Sequence, residues 1–199
     1  MQRDPALQSF ADAALGAFRE VAPGAEVRAS LQRIANALAT PAPRRERQGS
    51  RLPVCEHLDG ALAVRTDRPS LGHLIDAFRA IEPGLEWVRR TSYDKTASAN
   101  FVDGHANAMI FGPAGVENRR DVWFGVSLLA PHVRYTDHSH APEETYLVLS
   151  EGEFRQGDGD WFTPGIGGSF YNTPFITHAM RSGDRPLFAF WALWAEADA

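Results

Sequence analysis

Residues 137–146 read Asp-His-Ser-His-Ala-Pro-Glu-Glu-Thr-Tyr, which brings two imidazoles, neighbouring carboxylates and a phenol into one short stretch. On an extended chain, residues two apart point to the same face of a sheet. His138 and His140 can therefore face inward together, and Glu144 and Tyr146 can do the same. Burying so many ionisable groups is costly, and a divalent cation bound by neutral imidazoles and a carboxylate compensates that cost. The stretch predicts a metal site that carries its own acid or base.

A further ligand is available downstream, where residues 171–178 read Tyr-Asn-Thr-Pro-Phe-Ile-Thr-His. The intervening segment is rich in turn-forming residues, namely Gly152, Gly157, Gly159, Pro164, Gly165, Gly167 and Gly168. This density divides the segment into short strands and hairpins, so His178 can return to the same face as the first ligand stretch. A single histidine on an apolar strand is more often a hydrogen-bonded core residue than a ligand. The whole set at this spacing favours metal binding.

The spacing of these groups resembles that of a known superfamily. The pattern His138-x-His140-x-x-x-Glu144-x-Tyr146, a hairpin rich in glycine and proline, and then Pro174-x-x-x-His178 resemble the two sequence motifs of the cupins. The resemblance extends from about Val122 to Trp194. It implies a mainly β fold, a small jelly-roll barrel of the cupin type, that holds one metal ion through three histidines and one glutamate.

A narrower resemblance rests on four features: Tyr146 two residues after the glutamate, Tyr135 just ahead of the first histidine, a preceding helical region and a length near two hundred residues. Together they are similar to the cupin-type dimethylsulfoniopropionate lyases of marine bacteria. The resemblance implies cleavage of dimethylsulfoniopropionate to dimethyl sulfide and acrylate by β-elimination. It assigns the role of catalytic base to Tyr146 and implies that Tyr135 is a second catalytic tyrosine in the pocket. The implied metal ligands are His138, His140, Glu144 and His178. Whether Tyr146 also binds the metal stays open.

The residue types are sufficient for this reaction. Removal of a proton next to a carboxylate builds up negative charge, which a bound metal stabilises as a Lewis acid. The pKa of a free phenol is about 10, and a nearby cation lowers it, so Tyr146 beside a metal can become a base. A thioether leaves a sulfonium as a neutral molecule and needs no general acid. One metal and one base therefore suffice. Iron, zinc, manganese, cobalt or nickel would suit such ligands, and the sequence does not choose among them.

The sulfonium end of such a substrate favours an aromatic surface, since cations bind the faces of aromatic rings within about 6 Å. Residues 188–194 read Phe-Ala-Phe-Trp-Ala-Leu-Trp, typical of a strand buried on both faces, so most aromatic side chains of the barrel belong to the core. The candidates for the pocket wall are Trp123, Tyr135, Trp191 and Trp194.

The length and composition indicate a single structural unit. With 199 residues, 44% of them hydrophobic, the chain can bury one full core. Apolar residues at helical spacing predict a helical hairpin from Pro5 to about Thr40 and a third helix from Pro69 to Glu82. We expect an α-helical region over residues 1–84 packed on the barrel over residues 85–199. The helices can cover sheet edges or form a dimer interface, so both a monomer and a homodimer stay open.

The charge balance narrows the classes of partner. A net charge of −5 and a pI near 5.8 argue against a nucleic-acid partner, whose phosphates require a basic face. The first residues lack the apolar core of a secretory peptide, and no apolar run is long enough to cross a membrane. We therefore expect a cytoplasmic protein with no membrane partner that acts on a small molecule, either dimethylsulfoniopropionate or a similar small carboxylate.

Two alternative functions remain. One fold hosts many reactions, so the chain could be another metal-dependent cupin enzyme, such as a dioxygenase or an isomerase acting on a small carboxylate. It could also be a cupin that binds a small molecule without turnover. A dioxygenase would not require the phenol, so a Tyr146→Phe protein that kept its activity would favour that class. None of the other histidines, at positions 57, 73, 105 and 132, is assigned to the metal.

Overall fold

The computed structural model describes residues 2–46 and 48–196, so residues 197–199 of the expected barrel region lie outside the described residues. The helices are α1 (Pro5–Val21), α2 (Gly24–Leu38), α3 (Leu58–Ala61), α4 (Pro69–Ile81) and α5 (Phe101–Gly104). The strands are β1 (Trp87–Val88), β2 (His105–Phe111), β3 (Val122–Leu129), β4 (Glu143–Val148), β5 (Glu153–Gln156), β6 (Ser169–Asn172), β7 (His178–Arg181) and β8 (Leu187–Trp194). The content is therefore mixed, with α-helices before a β-sheet domain.

The N-terminal helices form where the periodicity of apolar residues predicts them. Helix α1 begins after Asp4, whose carboxylate accepts hydrogen bonds from the backbone N–H groups of Ala6 over 3.0 Å and Leu7 over 3.2 Å. This cap satisfies two N–H groups that the helix itself leaves free. The predicted hairpin is confirmed as α1 and α2, and the predicted third helix as α4, which ends at Ile81.

The helices cover one face of the larger sheet. Phe10 of α1 is fully buried, and its ring centroid lies 5.8 Å from that of Phe124, 5.9 Å from that of Phe190 and 6.3 Å from that of Phe78. Aromatic pairs at these separations add to the stability that burial of apolar area supplies. One face of β3 and β8 is therefore committed to packing against helices, and the opposite face is left for the site.

The larger sheet has six antiparallel strands in the order β1-β2-β3-β8-β4-β6, and a smaller sheet pairs β5 with β7. A second hydrophobic cluster fills the space between the sheets and includes Tyr146, Ala189, Phe154 and Met180. The segment before β4 joins the smaller sheet through backbone bridges, one of them between His138 and His178. The two predicted ligand stretches thus meet at this junction.

Strand β8 sends alternate side chains to the two sides of the larger sheet, as its sequence predicts. Phe188, Phe190 and Trp194 pack with the cluster that contains the helices. Leu187, Ala189 and Trp191 pack with the cluster between the sheets. Within the described residues, no helix is long and apolar enough to span a membrane.

Candidate active site

Backbone pairing brings the two ligand stretches together. The N–H of His138 donates to the carbonyl of His178 over 3.1 Å, and the N–H of His178 donates to the carbonyl of His138 over 2.9 Å. Glu144 and Tyr146 lie two residues apart on β4, and their side chains line the same cavity. The same-face relation expected from the spacing therefore holds for this pair.

The three histidines present the same nitrogen to the site. Nδ1 of His138 lies 3.0 Å from the carbonyl oxygen of Thr136, and Nδ1 of His178 lies 3.0 Å from that of Ile176. Nδ1 of His140 lies 2.8 Å from the carbonyl oxygen of Pro142. A carbonyl can only accept, so Nδ1 carries the proton in each neutral ring. The lone pair of each Nε2 is then left for a ligand, the usual arrangement of metal-bound imidazoles.

Glu144 lies at the centre of the cluster. Its Oε2 is 3.2 Å from Nε2 of His178 and 3.4 Å from Nε2 of His140. The ligand atoms of these three residues all lie within 4.8 Å of one another. Nε2 of His178 is buried and has no hydrogen-bond partner among the described residues. With Nδ1 protonated, two imidazole lone pairs face a carboxylate, and a cation between them removes the repulsion. The residues therefore fit a metal ion.

The environment sets the charges of these ligands. Burial, followed by the charge of His178, lowers the pKa of His138 to about 3, so this ring is neutral at pH 7. Burial opposes ionisation of Glu144, but His140 and His178 outweigh it and hold the pKa of that carboxyl well below its usual range. Burial lowers the pKa of His140, yet in the protonated ring Nε2 would donate to Glu144, and this hydrogen bond together with the charge of Glu144 turns the net change upward. Glu144 is therefore ionised at neutral pH, as a metal ligand must be.

His138 lies beside this trio but is not one of the three residues whose ligand atoms form the compact group. Its ring centroid lies 4.1 Å from that of His178 and 6.2 Å from that of His140. The compact group of ligand atoms within the described chain consists of His140, Glu144 and His178. The role of His138 as a fourth ligand stays a prediction.

Two residues behind the trio escaped sequence reasoning. Asn172 is fully buried, and its Nδ2 donates to Oε2 of Glu144 over 2.8 Å. Gln156 donates from Nε2 to Oδ1 of Asn172 over 2.7 Å. Outer partners of this kind fix the orientation of a ligand carboxylate. The sequence feature that could have indicated Asn172 is its position inside the second ligand stretch. Its pairing with Glu144, however, depends on the register of β4 and β6.

A cavity of about 270 Å³ opens beside the ligands. Its lining comprises Val88, Arg89, Arg90, Asn107, Met109, Trp123, Ser127, Tyr135, His138, His140, Glu144, Tyr146, Met180, Trp191 and Leu193. The predicted residues Tyr135, Tyr146, Trp123 and Trp191 are thus brought together in one pocket. The polar members from β2 and β3, Asn107 and Ser127, were not anticipated, since nothing in their local sequence distinguishes them from ordinary strand residues.

Trp194 does not join this pocket. It lies on the opposite face of β8 from Trp191, where the guanidinium of Arg33 lies 6.0 Å from its ring centroid. There it lines an outer cleft together with Glu143 and Pro174, and Trp123 borders both this cleft and the cavity. The physical reason is the alternation of side chains along a strand, which allows only one of two residues three apart to face the cavity. The expectation that Trp194 forms part of the pocket wall is corrected accordingly.

The two tyrosines occupy different surroundings in the cavity. Tyr146 is buried, and its ring stacks on Phe170 with centroids 5.1 Å apart. Burial and then the charge of Glu144 raise the pKa of the Tyr146 phenol well above its ordinary value. The phenol oxygen of Tyr135 accepts a hydrogen bond from Nδ2 of Asn107 over 3.1 Å. Burial raises the pKa of Tyr135 as well.

Comparison with known proteins gives one match to a family. The chain matches the family model described as dimethylsulfoniopropionate (DMSP) lyase over residues 26–189. No curated protein sequence matches it.

Two solved structures of DMSP lyases are similar in fold. One belongs to the crystal structures of the DMSP lyases RdDddP and RnDddQII, with 24% identity, a TM-score of 0.71, and coverage of 95% of this chain and 92% of that one. The other is the DMSP lyase DddQ from Ruegeria pomeroyi DSS-3, with 22% identity, a TM-score of 0.71, and coverage of 99% of this chain and 95% of that one. At these identities the likeness concerns the fold. The expected architecture, a cupin-like β-sheet domain with N-terminal helices, is confirmed.

Proposed function

The chain belongs to the DMSP lyase family, a family of carbon–sulfur lyases, and we propose that it cleaves DMSP itself, by β-elimination, to dimethyl sulfide and acrylate. The observation that carries this proposal is the shared cavity: Tyr146 lines the same wall as His140 and Glu144. The candidate base and the candidate metal site can therefore contact the same small molecule in this cavity. The cavity volume of about 270 Å³ lies just below the usual range for small-molecule sites, roughly 300–1,000 Å³, which favours a small substrate.

The reaction removes a proton from the carbon next to the substrate carboxylate. The electron pair of that C–H bond forms the second bond of the carbon–carbon double bond in acrylate. At the same time the bond between the neighbouring carbon and sulfur breaks. Sulfur keeps the bonding pair and leaves as neutral dimethyl sulfide. The proton goes to the base, so atoms and charges balance without another reactant.

The metal would be held by His140, Glu144 and His178, with His138 as the proposed fourth ligand. When bound, a divalent ion would supply a Lewis acid for the negative charge on the substrate carboxylate and a positive charge that lowers the pKa of the neighbouring phenol. The tautomers of the histidines and the ionised state of Glu144 support this assignment.

Tyr146 is the proposed base. Its phenol is buried beside Glu144, so it needs opposite charge nearby before it can give up its own proton and accept one from carbon. Stacking on Phe170 and contact with Phe154, whose ring centroids lie 5.1 and 5.5 Å from that of Tyr146, hold the ring in place. A fixed base next to the reacting carbon removes much of the entropic part of the barrier.

Trp123 and Trp191 are the proposed partners of the dimethylsulfonium group. Both line the cavity together with Met109. An indole face attracts a cation more strongly than any other aromatic side chain. The carboxylate of the substrate then points toward the histidines and the sulfonium toward the tryptophans. The carbon that loses the proton lies between these two ends of the substrate, near Tyr146.

The experiment is the incubation of purified protein with DMSP, with dimethyl sulfide measured in the headspace by gas chromatography and acrylate in solution by proton NMR. We expect the two products in a one-to-one ratio, loss of both after chelation, and their return when a single divalent metal is added back. Protein with stoichiometric bound metal that releases neither product would overturn the proposal. Oxygen uptake with other small carboxylates would then identify a dioxygenase.

A further inference from the structure

A chain of hydrogen bonds crosses the wall of the cavity and ends on Tyr135. Nε1 of Trp191 donates to Oγ of Ser127 over 3.1 Å. Oγ of Ser127 donates to Oδ1 of Asn107 over 2.6 Å. Nδ2 of Asn107 donates to the phenol oxygen of Tyr135 over 3.1 Å. The chain thus joins β8, β3 and β2 to the segment that precedes His138, and all four of its members line the cavity.

The chemistry of the groups gives this chain a direction. An indole N–H can only donate, so the oxygen of Ser127 accepts and its own proton passes to Asn107. The opposite orientation of the Asn107 amide would leave the Ser127 proton without an acceptor among the described residues. The amide N–H₂ of Asn107 is then turned toward Tyr135, where it too can only donate.

Tyr135 is therefore an acceptor on its β2 side. The positive charge of Arg90 also acts on this phenol and lowers its pKa, in opposition to burial. With the Asn107 donor on that side of the oxygen, the hydroxyl proton of Tyr135 turns toward the cavity. The ring itself is held against Phe101 and His105, at centroid distances of 5.0 and 5.2 Å.

We propose that Asn107, Ser127 and Trp191 are positioning residues for the lyase reaction, because they hold Tyr135 as a hydrogen-bond donor to the substrate carboxylate. This inference rests on the proposed function. Negative charge builds up on the carboxylate as the neighbouring proton leaves, and a donor aimed in advance at that charge stabilises the transition state more than the ground state. Asn107 and Ser127 act through Tyr135 and need not touch the substrate, whereas Trp191 donates its indole N–H to the chain and presents its ring to the sulfonium.

A double-mutant cycle on turnover tests this dependence. Ser127→Ala interrupts the chain and is expected to lower kcat about tenfold, the scale of one hydrogen bond, with a smaller change in KM. In a Tyr135→Phe background, Ser127→Ala should have no further effect on kcat, because the Tyr135 hydroxyl that Ser127 helps to orient is absent. Thr145→Val is the matched control, because this buried hydroxyl on β4 has no hydrogen-bond partner among the described residues. Equal losses from Ser127→Ala in both backgrounds would overturn the inference.

Asn107→Asp tests the direction of the chain with little change in shape. A carboxylate can still accept from Ser127, but it can no longer donate to Tyr135 and instead attracts the hydroxyl proton of Tyr135 away from the cavity. We expect kcat to fall as far as in Tyr135→Phe, with the metal content unchanged. A protein with Asn107→Asp that turns over like the wild type would contradict the proposed direction.

A second readout does not depend on turnover. The chain has four tyrosines, so protein labelled with ¹³C at the tyrosine Cζ gives a spectrum in which Tyr135→Phe identifies the Tyr135 resonance. Ser127→Ala and Asn107→Asp should both shift that resonance, and Thr145→Val should leave it in place. A resonance that none of these changes moves would overturn the inference. If the variants show these shifts but the wild-type protein releases no dimethyl sulfide, only the proposed function is overturned.

Discussion

Asn172 donates a hydrogen bond from Nδ2 to Oε2 of Glu144 over 2.8 Å, the same carboxylate oxygen that approaches two histidine Nε2 atoms. This contact fixes the carboxylate in its ligand orientation. Asn172→Ala should therefore weaken metal affinity by about 10–100-fold, as loss of an outer partner of a ligand usually does. Titration against a competing chelator measures the change. Asn36→Ala, on the exposed face of α2, is the control, and equal affinity of the two variants would contradict this role.

The two faces of the larger sheet predict opposite results for two tryptophans, Trp123 on β3 and Trp194 on β8. Trp123 lines the inner cavity, whereas Trp194 lies on the helix side of the sheet. Trp123→Leu should raise KM for DMSP about tenfold, because the loss of a cation–π contact of up to about 2 kcal/mol weakens substrate binding. Trp194→Leu should leave KM unchanged. Steady-state kinetics on both variants measure KM for DMSP. A larger rise in KM for Trp194→Leu than for Trp123→Leu would place the sulfonium outside the cavity.

A buried ion-pair network anchors the N-terminal segment. Glu117 bonds Nε of Arg3 over 2.6 Å and Nη1 of Arg119 over 2.9 Å, and the three side chains are 2%, 3% and 6% exposed respectively. Glu117→Ala leaves two buried cations without this partner, so it should lower the free energy of unfolding by about 3–5 kcal/mol. Urea denaturation measures this loss. For comparison, Glu153→Ala removes the half-exposed pair with Arg181 and should change stability by about 0–1 kcal/mol.

His105 makes stability depend on pH. The ring is buried, Nδ1 contacts the carbonyl of Phe101, and Nε2 accepts from the N–H of Arg90 over 2.9 Å. Burial lowers the pKa of His105 below 6.5. Below that pH the unfolded chain therefore binds a proton that the folded chain resists. The contribution of this group to stability is full above about pH 6.5 and falls as the pH decreases toward the folded pKa.

The measurement compares unfolding midpoints in urea at about pH 7.5 and about pH 5. His105→Asn should be less stable than the wild type at the higher pH and lose less on acidification. His73→Asn, at an exposed position of α4, should keep the wild-type pH dependence. Equal acid sensitivity of wild type and His105→Asn would show that other groups account for it.

Local spacing predicted the parts of the site that lie close together in the chain. Residues two apart share a face, so Glu144 and Tyr146 could be placed together from the sequence alone. The alternation in β8 likewise separated Trp191 from Trp194. It did not reveal which of them faces the cavity, because that depends on which face of the sheet the helices cover, a matter of tertiary packing.

The rest of the site depends on strand register. Asn107 pairs with Ser127 across β2 and β3, and Glu144 pairs with Asn172 across β4 and β6. No periodicity within one strand encodes such a partnership between different strands. The sequence also could not show that the compact trio contains His140 and not His138, because both are histidines at alternate positions of one stretch.

The most direct test of the account compares two phenols. Tyr146 lines the cavity, whereas the hydroxyl of Tyr171 donates to Glu143 over 2.6 Å, away from the proposed reaction. With metal-loaded protein and saturating DMSP, we expect Tyr146→Phe to lower the rate of dimethyl sulfide release by about 10²–10⁴-fold, the contribution of a general base, while Tyr171→Phe keeps the wild-type rate. A Tyr146→Phe protein that binds the same amount of metal and releases dimethyl sulfide at the wild-type rate would contradict the account.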